Sequence, residues 1–341
     1  MKRIIKTVAF VMSALAVAGC AKAVQTGPNE ANERYFNAWI GLNHPGISPT
    51  GLGIYVIEEE AGTGSVVKEG GYIYADYKIT DLEGNISSYT DKETAKQLGD
   101  YDTTKYYGAK VLTTTKNTIY AGLADAVIGM KTGGRKKVII PSWLMTYASY
   151  DSKEDYLNKN TSGANTIYDI TVREFTDSIQ LYEIGLIEKY IKDHPNIFDN
   201  RIVNDTTGFY YQTLTKGLLR DETFEKDTTI YINYTGRLLN GLVFDTTIEK
   251  VAKDNGLYSP SRTYGPTQVK WSKNVADITL GSSSSSVIDG FARTIQHMRP
   301  MEKGLGIFYS PLGYSYNGSG ASIPGYSPLI FEIEIVAKPE D

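Results

Sequence analysis

The chain is 341 residues long, more than a single hydrophobic core usually serves, so two domains are expected. Its net charge of −4 offers no electrostatic footprint for nucleic acid, and its one cysteine excludes an internal disulfide or a thiolate-bound metal. The three histidines, His44, His194 and His297, stand at no metal-ligand spacing, so neither a metal nor a cofactor is expected.

In chain order, the first feature is a basic start (Lys2, Arg3, Lys6) followed by an apolar run over residues 8–18, too short to span a bilayer. The run ends in Val17-Ala18-Gly19-Cys20, which resembles the lipobox of bacterial lipoproteins. That resemblance implies a signal peptide over residues 1–19, a diacylglycerol on Cys20 and attachment to a membrane in the cell envelope. Ala21, where many inner-membrane lipoproteins have Asp, favours the periplasmic face of the outer membrane.

The rest reads as two copies of one plan. Residues 30–39 and 179–191 are expected helices, each stopped by a His-Pro pair, His44-Pro45 and His194-Pro195. Tyr72, Tyr74, Tyr77 and Ile79 alternate like a strand leading to a Glu83-Gly84-Asn85 turn; Ile230, Ile232 and Tyr234 do the same before Asn240-Gly241. A short helix over 121–130 matches one over 289–298. Val138-Ile139-Ile140-Pro141 parallels 307–311, and Thr166-Ile167-Tyr168-Asp169-Ile170 parallels Leu329-Ile330-Phe331-Glu332-Ile333. Long alternating strands with one short helix per copy predict an α+β fold, a curved antiparallel sheet wrapped on a short α-helix in each of two domains. Abundant tyrosine, 26 residues against 10 Phe and 3 Trp, suits such strands. The expected boundaries are a tether and helix at 20–50, a first domain at 51–175, a helical linker at 176–207 and a second domain at 208–341.

Asn233-Tyr234-Thr235-Gly236, Val243-Phe244-Asp245, Val287-Ile288-Asp289-Gly290-Phe291, Tyr316, Ile323-Pro324 and Leu329-Ile330-Phe331 fall in an order that resembles the FKBP-type peptidyl-prolyl cis-trans isomerases. The resemblance implies two FKBP-like domains and isomerase activity in the second, on proline-containing unfolded or nascent exported polypeptides. It places Phe291 at a pocket floor, Tyr234, Phe244 and Phe331 as aromatic walls, and Val287 and Ile288 at the rim. The Ile288 N–H would hold a substrate carbonyl, Tyr316 would hydrogen-bond at the lip, and Asp245 would stand beside Tyr234. Ile323 and Pro324 would belong to a covering loop. Phe291 stands where the family often has Trp, and an insertion at 246–277 removes the match to one further aromatic wall.

The first copy keeps Tyr77 but has Asn85-Ile86-Ser87-Ser88 in place of Phe-Asp, Leu123 for the floor aromatic, Tyr168 for Phe331, and no Ile-Pro loop. It is expected to be catalytically degenerate and to bind peptides or pair as a homodimer. The alternative for the whole chain is a non-catalytic chaperone that uses isomerase-like domains to hold peptides.

Overall fold

The structure, a computed structural model, describes residues 29–159, 163–199, 202–205, 208–217, 224, 228–281 and 285–340. Cys20 and the 1–19 segment lie outside the described residues, as do residues 282–284 of the serine-rich 282–286 stretch.

The first domain runs α1 (Glu30–Asn43), β1 (Tyr55–Glu60), β2 (Tyr72–Thr80), β3 (Ile86–Tyr89), α2 (Lys92–Leu98), β4 (Lys110–Thr113), α3 (Ala121–Val127), β5 (Arg135–Ile140), α4 (Lys153–Lys159) and β6 (Thr166–Thr176). Its antiparallel sheet is ordered β1-β5-β6-β2, and β3 and β4 share the far edge of β2. After α5 (Ile179–Asp193) the second domain runs β7 (Val203–Asp205), β8 (Phe209–Thr215), β9 (Thr229–Leu238), β10 (Val243–Thr246), α6 (Glu249–Asp254), β11 (Thr267–Lys270), β12 (Thr279–Leu280), β13 (Ser285–Ser286), α7 (Asp289–His297), β14 (Lys303–Phe308) and β15 (Leu329–Val336). Its sheet repeats the order as β8-β14-β15-β9, with β10 and β11 sharing the far edge of β9.

Register makes the repeat quantitative. Tyr77 pairs with Ile170 as Tyr234 pairs with Ile333, and Ile79 pairs with Tyr168 as Gly236 pairs with Phe331. The central helices also seat alike. A Cβ on Gly122 would come within 2.4 Å of Ile140, and one on Gly290 within 2.3 Å of Phe308, so only glycine lets each helix lie this close to its sheet.

Both His-Pro helices form and end where expected, with His44 and His194 as C-caps. Neither is a bare spacer. Phe36 on α1 packs edge-on to Trp143 at 5.4 Å and is fully buried in the first core. Ile187 on α5 is buried with Tyr210, Leu305, Ile307 and Ile330 on the outer face of the second sheet. Three helices have no precedent in the sequence reading: α2 after the first hairpin, α4 in the polar stretch after Ser149, and α6 in the 246–277 insertion.

Candidate active site

The site is built on β9, whose inward residues Ile230, Ile232, Tyr234, Gly236 and Leu238 are buried while the intervening ones are half-buried or exposed. This period of two aims Tyr234 at α7. Its ring lies 5.4 Å from Phe291, at 81° between planes, and 6.2 Å from Phe331 on β15. Phe291 meets Phe331 at 5.1 Å and 81°, and Phe244 on β10 meets Phe331 at 5.6 Å and 73°. Edge-to-face pairs at such spacings set the positive edge of one ring on the negative face of the next. A Cβ on Gly236 would fall 2.5 Å from Phe244 and 2.8 Å from Phe331, so the backbone there must stay bare for the rings to meet.

Val287 and Ile288 are half-buried against the same core where the chain enters α7. Ile288 is the N-cap of that helix, so its own N–H lies outside the helical hydrogen-bond ladder. Asp245 stands at the edge of the rings: Tyr234 Oη donates to its Oδ2 at 2.6 Å, and Arg262 Nη1 pairs with its Oδ1 at 2.7 Å. Burial, followed by the nearby carboxylate and its hydrogen bond, pushes the Tyr234 phenol well above the usual tyrosine range. The phenol therefore stays protonated and donates to Asp245 at any physiological pH.

The arrangement is a desolvated aromatic cluster with one carboxylate, one phenol and one guanidinium at its margin. It contains no activated nucleophile. A family model described as FKBP-type peptidyl-prolyl cis-trans isomerase matches residues 220–336. The second domain belongs to that family. A probable FKBP-type peptidyl-prolyl cis-trans isomerase of Haemophilus influenzae is 27% identical over 130 residues, covering 38% of this chain and 42% of that protein. A macrophage infectivity potentiator of Trypanosoma cruzi is 28% identical over 111 residues, covering 33% of this chain and 43% of that protein. FK506-binding protein 2 of Dictyostelium discoideum is 32% identical over 105 residues, covering 31% of this chain and 61% of that protein. The chain thus spans from about two fifths to three fifths of these relatives' length.

Within the FKBP-type domain the structure brings Tyr234, Phe244, Asp245, Val287, Ile288, Phe291 and Phe331 together, and it places Tyr316 elsewhere. Ser315 adopts a left-handed φ of 51°, and the chain turns there. Tyr316 is 68% exposed and lines a cavity of the first domain. Half-buried Tyr314 instead packs on the second core, its phenol raised by burial and then by the charge of Asp245. Ile323 is buried in the second core, but its loop is tied across the chain: Tyr106 N–H donates to Ala321 O at 2.9 Å, and the Tyr106 ring packs on the same core. Pro324 lines two clefts that Tyr106 shares. Arg262 was invisible in the sequence because it lies in the insertion, where Pro260 and Gly265-Pro266 mark turns but nothing aims a side chain at Asp245.

The first domain's departures are now specific. Ser88 pairs with Ile79 as Asp245 pairs with Gly236, so a serine hydroxyl replaces the carboxylate. The Thr90 hydroxyl still accepts from Tyr77 N–H at 3.0 Å, as Thr247 does from Tyr234 N–H at 3.0 Å. Leu123 occupies the third helical position held by Phe291 in α7. The scaffold is kept and the acid is gone.

Proposed function

We propose that the second domain accelerates cis–trans isomerisation of X-Pro bonds in exported, incompletely folded polypeptides, and that the lipidated chain does so at the cell envelope through Cys20. An amide resists rotation by ~18–20 kcal/mol because its nitrogen lone pair is delocalised into the carbonyl. Uncatalysed X-Pro exchange therefore takes tens to hundreds of seconds, slow enough to limit folding. In the twisted state the nitrogen is pyramidal and the amide dipole is largely lost, so an apolar surround penalises it less than the planar ground state.

The single observation that carries this reading is the joining of four aromatic rings to the Tyr234–Asp245 hydrogen bond. The rings offer an apolar seat for a pyrrolidine. The fixed carboxylate supplies a field at its edge, and the Ile288 N–H is the donor for the carbonyl before proline. Each ~1.4 kcal/mol removed from the barrier is a tenfold gain in rate. The test is protease-coupled turnover of succinyl-Ala-Leu-Pro-Phe-nitroanilide by residues 21–341. Turnover that falls at least tenfold in Asp245→Ala supports the reading, and equal turnover in both chains rejects the site. Envelope attachment is tested separately by metabolic labelling with a palmitate analogue, which Cys20→Ser should abolish.

A further inference from the structure

The first domain holds a cavity of ≈ 280 Å³ at the place that register makes equivalent to the second domain's ring cluster. Tyr77 stands for Tyr234, Leu123 for Phe291, Tyr120 for Ile288 and Tyr168 for Phe331. The exchange of Phe291 for the smaller Leu123 opens volume at the floor, while the other changes add hydroxyls. No charged side chain is among the described residues lining the cavity. Tyr120 and Tyr147 stack at 4.5 Å and 28°, a flat aromatic plate on one side. Part of the lining comes from the other domain: Tyr316 and Tyr326 border the cavity, and Tyr326 is braced edge-on against Tyr72 of β2 at 5.5 Å.

We propose that this shared cavity is a second binding site, taking a neutral, proline-bearing segment in the extended polyproline conformation and holding it without turnover. Flat tyrosine rings match pyrrolidine faces, and a polyproline backbone presents carbonyls with no internal hydrogen bond, which phenol hydroxyls satisfy. An uncharged lining selects against acidic and basic side chains, because a charge desolvated there finds no partner. The isomerase reading accounts for the second domain alone, and the holding site stands apart from it. Because Tyr316 and the Ile323-Pro324 loop lie on one short segment, a polypeptide held here has its neighbouring residues at high effective concentration beside the second domain.

The test uses residues 21–341 and fluorescein-labelled acetyl-decaproline amide, read by anisotropy, with an equal-length Gly-Ser peptide as control. Decaproline binding that weakens at least tenfold in Leu123→Trp, which refills the floor, and in Tyr147→Ala, which removes half the plate, supports the site. Tetrapeptide turnover in both variants should stay within twofold of the parent. Tyr316→Ala should weaken binding as well, and a neutral effect there would overturn the shared lining. Phe291→Ala should abolish turnover and leave decaproline affinity unchanged; loss of that affinity would assign all binding to the second domain and overturn the proposal. Equal binding of the Gly-Ser peptide would overturn it too. Tyr147 is 52% exposed, so its variant tests the site even if Leu123→Trp fails to fold.

Discussion

Replacing Asp245 with alanine separates the two partners that this carboxylate serves. Tyr234 is 6% exposed, and its hydroxyl donates to Asp245 at 2.6 Å. Deleting the acceptor strands a buried donor, which costs about 1–3 kcal/mol. The Arg262 pair is 39% and 36% exposed on its two sides, so its loss adds about 0–1 kcal/mol. The sum is a destabilisation of about 1–4 kcal/mol, read from urea midpoints at constant m-value. Asparagine keeps a carbonyl acceptor for Tyr234 and loses only the ion pair, so Asp245→Asn should cost about 0–1 kcal/mol. Turnover should divide differently: the fixed negative charge is lost in both variants, and kcat/KM should fall about tenfold or more in each, equivalent to at least ~1.4 kcal/mol of transition-state stabilisation. Equal stability losses for the two variants, or native turnover in Asp245→Asn, would refute the division of labour between hydrogen bond and charge.

Gly236→Val should disrupt the ring cluster, since even a Cβ would sit 2.5 Å from Phe244; the overpacking is expected to cost about 1–3 kcal/mol and to lower turnover, by urea titration and the tetrapeptide assay. Glu183 on α5 is buried, accepts from Ser310 N–H at 2.6 Å and Ser310 Oγ at 2.8 Å, and has its carboxyl raised from 4.5 by burial against the opposing effect of those bonds. A carboxyl raised on folding favours the folded state below its unfolded value, and that favour is lost as pH climbs through the folded value. Parent stability relative to Glu183→Gln should therefore decline as pH rises above 4.5, and parallel pH profiles would refute the assignment. Arg135 clamps Asp169 through Nε and Nη2 at 2.7 and 2.8 Å, at a half-buried position between β5 and β6; Arg135→Ala should cost about 1 kcal/mol by thermal melting, with turnover unaffected.

The repeat was legible because it is written in strand alternation and glycine placement. Tyr77 and Tyr234, Gly122 and Gly290, and the two His-Pro stops each carry a local constraint that survives without tertiary information. The ring cluster was legible only through the resemblance: strand and helix periods mark Tyr234, Phe291 and Phe331 as inward-facing residues, and it is their ordered co-occurrence with the family's motifs that joined them in one site. Tyr316 was misplaced because one left-handed residue, Ser315, redirects the loop, and a serine carries no signal that its φ is positive. Arg262 and Tyr106 were missed because their roles come from segments that fold back on the site from outside its strands. Nothing in the spacing of residues 101–109 foretells a hydrogen bond to Ala321.

Exchange NMR on the cis and trans proline signals of an unlabelled Ala-Leu-Pro-Phe peptide most directly tests whether the aromatic cluster of the second domain lowers the barrier to X-Pro rotation. Substoichiometric residues 21–341 should bring the two signals into measurable exchange, and Phe291→Ala should return the rate to that of the free peptide. An exchange rate unchanged by the parent chain, or one that survives loss of Phe291, would contradict the account.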